Sequence, residues 1–257
     1  MSREIPLDAP SIITGGYVGV IAAAVGTRVG LGRTPLFVGC LLAAAIVALA
    51  AGGRPSLWVA MGRRRLLTLP MAVPLASCLV LVVGLEYGLV SEAYRTPLPW
   101  SFALALVGIG VWQTGTTAYA ERAAGDRRAS WTASADATRR RRKTVVVTLG
   151  AVGCVGAFFV VVWYGAPSFF LSGIVAFTVA TWITGDRQRT YDACEHGLRF
   201  TETGAVGYQF TPWDRFDGRR ETDDAIVLER RWWIDERMTK ADVPPAAREA
   251  LAASIGA

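Results

Sequence analysis

Five consecutive cations, Arg139, Arg140, Arg141, Arg142 and Lys143, stand directly against an apolar run that begins at Thr144. A block of that charge stays out of hydrocarbon, so it marks a membrane edge and sets the direction of the segments on either side. The rest of the chain repeats the theme. Apolar stretches lie at 11–27, 35–51, 66–90, 97–118, 144–164 and 165–184; the first five are separated by segments that each carry arginine, and the last two join at Gly165-Ala166-Pro167-Ser168. Stretches of about 20 apolar residues cross a bilayer as helices. With 52% hydrophobic residues and a mean hydropathy of +0.34, the composition is that of a membrane protein.

Six spans are therefore expected. The first is short, and its loss would leave five. Gly15 and Gly19 within it have the spacing that lets two helices approach closely. In the third, Pro70 and Pro74 move the expected start of the helix to near Pro74. Arg3 is followed by Glu4 and Asp8, so the N-terminus lacks the positive flank of a cleaved signal and is read as a retained span. Trp58 lies in a segment too short to span and suits the membrane interface. Residues 119–143 are polar and are read as a surface helical hairpin or as disorder.

Six spans put both termini on one side. That side holds thirteen Lys and Arg residues outside the C-terminal domain, and the other holds three, Arg28, Arg33 and Arg95. The bias assigns the rich side, with both termini, to the cytoplasm of a cell-membrane protein. Residues 1–184 carry a net charge of +9 and residues 185–257 a net charge of −3. A nucleic-acid-binding protein would place its positive excess on the soluble domain, so nucleic acid is excluded as a partner.

From Gly185 the pattern changes. Leu198 and Phe200 alternate, as do Val206, Tyr208 and Phe210, and then Ile226 and Leu228, the period of half-buried strands. Turn signals separate them at Glu195-His196-Gly197, Thr203-Gly204, Asp217-Gly218 and Thr222-Asp223-Asp224. A further strand is expected through Trp232, Trp233 and Ile234. Val243, Ala247, Leu251 and Ile255 then give a closing helix one apolar edge. Four to six short antiparallel strands and a C-terminal helix result. Three regions follow: 1–143, four spans with basic cytoplasmic loops; 144–184, a membrane hairpin; and 185–257, a cytoplasmic domain.

Within that last region Tyr191-Asp-Ala-Cys-Glu-His-Gly-Leu198, Phe210-Thr-Pro-Trp213 and Ile226-Val-Leu228 occur in order behind the hairpin. Residues 144–255 thus resemble the membrane-tethered PH-like domains of bacteria and archaea, the YcxB-like family and its relatives among them. The expected fold class is membrane all-α with a small C-terminal α+β domain, and the resemblance implies that the domain's antiparallel strands are PH-like and closed by a helix. It implies binding or scaffolding at the membrane and carries over no catalytic residue. Four to six strands fall short of the seven of a complete PH-like barrel, which implies an open sheet.

Candidate chemistry is sparse. His196 is the sole histidine, and with Cys194 it makes no ligand set of three or four. No phosphate-loop, dinucleotide, zinc-protease or nucleophile-elbow motif occurs, so neither an enzyme nor a cofactor is expected. Arg63, Arg64, Arg65, Arg139, Arg140, Arg141, Arg142 and Lys143 are candidates for contact with anionic lipid. Trp213, Trp232 and Trp233 are candidates for a partner face. The expected function is presentation of the C-terminal domain at the cytoplasmic surface, for a protein partner or a homo-oligomer. The alternative is a small transporter or channel subunit with a regulatory tail, binding a solute near the glycine-rich spans, for which Glu86, Gln113, Thr114, Thr116 and Thr117 are the polar residues.

Overall fold

The structure is a computed structural model that describes residues 7–91, 97–134, 138, 141, 144–145, 147–150, 152–153, 188–205, 207–231 and 234–255. It divides into two compact units, Met1–Ala123 and Ala124–Ala257.

The first unit is helical: α1 (Ala9–Arg28), α2 (Arg33–Gly52), the short α3 (Ser56–Arg63), α4 (Leu69–Glu86) and α5 (Leu98–Ala123). α1 starts two residues before the apolar stretch, because Asp8 and Ser11 cap it reciprocally. The Asp8 carboxylate accepts the Ser11 N–H at 3.1 Å, and the Ser11 hydroxyl accepts the Asp8 N–H at 3.2 Å. Its 20 residues reach about 30 Å at 1.5 Å per residue, the thickness of a bilayer core.

Small residues set the packing. Gly15 lies against the Ala44 carbonyl and Ala48 of α2, Gly19 against Ala44, and Gly26 against Leu36, so the two helices run antiparallel. Gly108 of α5 meets Pro70 of α4, and Gly115 meets Leu67 and Trp58. α5 buries Ala105, Gly108, Val111, Gly115 and Ala118. The helix of the third stretch begins at Leu69 rather than near Pro74. Pro74 removes only the bond that would reach the Pro70 carbonyl, and that carbonyl is where the α5 backbone packs.

This unit is inverted relative to a water-soluble bundle. Its helix contacts are rich in glycine and alanine, while Phe37, Ile46 and Val80 are 65%, 64% and 66% exposed. Ala9–Arg28, Arg33–Gly52 and Leu66–Glu86 are long and apolar enough to cross a membrane. α5 occupies the expected fourth span but is not among these three; its second half, Trp112-Gln-Thr-Gly-Thr-Thr117, dilutes the apolar character. The expected fifth and sixth spans lie almost wholly outside the described residues.

The second unit holds β1 (Arg127–Ala133), β2 (Arg189–Cys194), β3 (Gly197–Glu202), β4 (Gln209–Pro212), β5 (Phe216–Glu221), β6 (Ala225–Arg230), β7 (Glu236–Thr239) and α6 (Pro245–Ile255). The strands form a four-stranded antiparallel sheet in the order β1-β2-β3-β4 and a three-stranded one in the order β5-β6-β7. Between them lies a core that includes Leu198, Ile226, Leu228 and Met238, closed by Val243, Ala247 and Leu251 of the segment leading into α6 and of α6 itself.

Three expectations change here. Residues 127–133, read as part of a surface hairpin or disorder, are the first strand of the sheet. Trp131 and Ala133 point inward between Ser130 and Thr132, an alternation too weakly apolar to stand out. Asp217 and Gly218, read as a turn, lie inside β5 at a register shift, a bulge that glycine suits. Ile234 is 63% exposed and outside any strand; the last strand is Glu236–Thr239, while Trp232 and Trp233 lie outside the described residues.

β1 is integral to this core. Trp131 stacks on Tyr191 with ring centroids 5.6 Å apart, and Tyr191 lies 5.8 Å from Phe200. Beyond its end, the Ser134 hydroxyl and N–H donate to Asp242 at 2.6 and 2.9 Å. Losing a buried tryptophan alone costs about 3–5 kcal/mol, against a total of about 5–15 kcal/mol for a domain. A fragment of residues 185–257 is therefore expected to show no cooperative denaturant transition. Joining residues 124–134 to 188–255 through a tight turn is expected to restore one, because Ala133 and Arg189 are cross-strand partners.

Candidate functional site

The most developed polar arrangement in the sheet unit is a buried charge cluster spanning both sheets. Glu236, at an inward position of β7, is 6% exposed. Its Oε1 accepts Arg189 Nη1 at 2.9 Å and the Tyr191 hydroxyl at 2.7 Å, and its Oε2 accepts Arg230 Nη2 at 3.1 Å. Arg189 also reaches Glu202 Oε1 through Nε at 3.1 Å and Nη2 at 2.6 Å. The arginines cover aromatic faces, Arg189 over Phe200 at 5.0 Å and Arg230 over Phe216 at 5.5 Å.

Two arginines and two glutamates balance in charge. Burial opposes the charge on Arg189, but Glu236, Tyr191 and Glu202 outweigh it and hold the guanidinium above its usual range. For Arg230 burial prevails over Glu236, helped by the like charge of Arg189, and its pKa falls. The cluster therefore has its counter-charges in hand and acts as a clamp between sheets. It was missed in the sequence because charge at an inward strand position looks like any surface residue. The available signal was the alternation Arg189-x-Tyr191 and Glu236-x-Met238, which puts each charge in register with a core residue.

A second pair lies on the opposite face of β2. Asp192 accepts Arg199 Nη2 at 2.8 Å and Nε at 3.1 Å, and Arg199 covers Tyr208 at 4.7 Å. Cys194 is buried beside them, and burial pushes its thiol up despite the nearby Arg199. A raised, buried thiol is a poor nucleophile. His196 sits exposed in the β2–β3 turn, 4.0 Å from Glu195. Among the described residues no group of three or more His, Cys, Asp or Glu is placed to hold a metal ion.

The aromatic candidates separate. Trp213 is half-buried; its Nε1 donates to the Cys194 carbonyl at 3.0 Å, and its ring lies 5.8 Å from Phe216, so it ties the turn after β4 to β2. Trp232 and Trp233 lie outside the described residues. Trp58, expected at the interface, is 1% exposed and packs on α5 across from Gly115. Glycine at that position leaves the room an indole needs.

The basic candidates fall in different units. Arg63, Arg64 and Arg65 are all exposed at the end of α3, with Arg65 in the left-handed region at φ 57°. Arg141 is exposed; Arg139, Arg140, Arg142 and Lys143 lie outside the described residues. Of the polar residues named for a transporter, the Thr114, Thr116 and Thr117 hydroxyls of α5 donate to their own helix at Gly110, Trp112 and Gln113, at 2.7, 2.8 and 2.9 Å. Glu86 is the exposed last residue of α4.

Comparison of the chain with protein-family models, curated proteins and solved structures found no match.

Breaking a buried pair leaves an uncompensated charge and costs about 3–5 kcal/mol. Glu236→Gln is expected to destabilise the sheet unit by that amount. The check is denaturant-dependent labelling of Cys194 in the full chain, with the other cysteines replaced. Replacing Arg189, Glu202, Arg230 and Glu236 together by methionine should recover much of the loss, because no charge of the cluster is then stranded.

Proposed function

We propose that the chain is a multi-pass protein of the cell membrane that presents a PH-like domain at the cytoplasmic surface, where it recruits a protein partner or organises an assembly. The observation that carries this reading is the pairing of β1 with β2 across residues 134–188. Ala133 and Arg189 are Cα partners, so the intervening chain leaves and returns at one place. A segment with both ends at one place crosses a membrane an even number of times. The apolar runs 144–164 and 165–184 supply two crossings of about 30 Å each.

Two further features support it. The four-plus-three strand order closed by a C-terminal helix is the pattern expected of a PH-like domain, with β1 as the strand that the tail by itself lacks. The antiparallel packing of α1 on α2 and of α4 on α5 gathers the start of α1, Arg54, Arg63, Arg64, Arg65 and the end of α5 at one end of the helical unit. That is the end the arginine bias assigns to the cytoplasm. The reading assigns the chain no reaction.

A photo-crosslinker at exposed position 217, used in intact cells, is expected to give an adduct of fixed mass that Trp131→Ala abolishes by unfolding the sheet. Vesicles reconstituted with the pure protein are expected to pass no ions or small solutes. Solute flux without an adduct would overturn the reading in favour of a transporter or channel subunit.

A further inference from the structure

The three arginines that end α3 are presented in a way that orientation of the chain does not require. α3 is fixed to α5 on one side, Trp58 being buried opposite Gly115 and Gly62 packing on the Tyr119 ring. That leaves its other side outward, with Arg54, Arg63, Arg64 and Arg65 exposed. Apolar side chains rim the same turn: Leu57, Leu66 and Leu69 are 36%, 38% and 48% exposed. No acidic residue occurs between Asp8 and Glu86. Within the helical unit, the described carboxylates at this end are Asp8, held by Arg122 at 2.7 Å, and Glu121.

Arg65 adds an independent sign. It is the sole non-glycine among the described residues with positive φ, at the position after a helix where glycine is the usual choice. A cation stands where the backbone favours glycine, and its side chain is exposed rather than packed into the unit. Arginines present a planar fork that matches phosphate oxygens, and exposed leucines beside them suit the first methylenes of an acyl chain.

We propose that the turn joining α3 to α4, through Arg64 and Arg65 with Arg54 and Arg63 beside them, binds the phosphate of an anionic phospholipid headgroup. The leucine rim selects lipid over free phosphate. Each cation near an anionic surface contributes about a fivefold change in affinity.

The test uses the full chain in nanodiscs and measures retention of labelled phosphatidylglycerol against a phosphatidylcholine background. Arg64→Gln and Arg65→Gln are each expected to weaken retention about fivefold, while Arg33→Gln, at the opposite end of the bundle, leaves it unchanged. Arg65→Gly separates binding from folding: it removes the left-handed strain, so thermal stability is expected to hold or rise while retention falls about fivefold. Equal retention in the folded Arg64→Gln, Arg65→Gln and Arg65→Gly variants would overturn the proposal. Full displacement of the lipid by millimolar inorganic phosphate would overturn the choice of lipid and assign the site to free phosphate.

Discussion

The hydrogen-bonded ladder between β1 and β2 is the constraint on which the rest of this protein depends. It joins strands that are far apart in sequence, and what separates them is an apolar insert rather than a turn. A sheet that closes over such an insert is tied to it differently from a domain hung on a terminal linker. Its first strand follows α5 after only Ala124, Gly125 and Asp126, and its second begins where the insert returns. The domain is thus secured by chain connections on both sides of one strand. Its core cannot be completed until the insert has been made and its ends brought together.

The two units solve opposite solvent problems with the same chemistry. In the helical unit, large apolar side chains face out and glycine and alanine bring backbones together, because lipid offers no penalty for exposed leucine and rewards close packing. In the sheet unit Tyr191, Leu198, Ile226, Leu228 and Met238 are buried in the ordinary way, driven by water. Between the two sheets the Arg189–Glu236–Arg230 cluster adds direction to a core that hydrophobic contact alone leaves undirected. A buried carboxylate that accepts from three donors has few alternative arrangements, so it fixes how one sheet registers on the other.

What the sequence revealed follows from the length of each signal. α1, α2 and α4 were legible because transfer to hydrocarbon is summed over some twenty residues, and no single proline or glycine overturns it. The closing helix was legible from Val243, Ala247, Leu251 and Ile255, which recur at one helical spacing, and the core does take up the first three. β1 was not legible, because its inward residues are one tryptophan flanked by alanines, and its partner lies beyond an apolar insert. The charge cluster was hidden for a related reason. Arg189 and Glu236 acquire meaning only when β2 and β7 face each other, and strand spacing says nothing about which sheets meet. Trp58 shows the same limit: its burial depends on Gly115, some 57 positions on, and an indole by itself suits an interface as well as a helix contact.

The most direct measurement is impermeant thiol labelling of single cysteines in intact cells, in a background where Cys40, Cys78, Cys154 and Cys194 are replaced. Three exposed positions decide it: Leu31→Cys in the α1–α2 turn, Arg128→Cys on β1 and Asp217→Cys on β5. The account predicts that position 31 is labelled from outside, and that positions 128 and 217 are labelled together, only after the membrane is permeabilised. Labelling of 128 and 217 from opposite sides would contradict it, because strands on two sides of a bilayer cannot pack on one core.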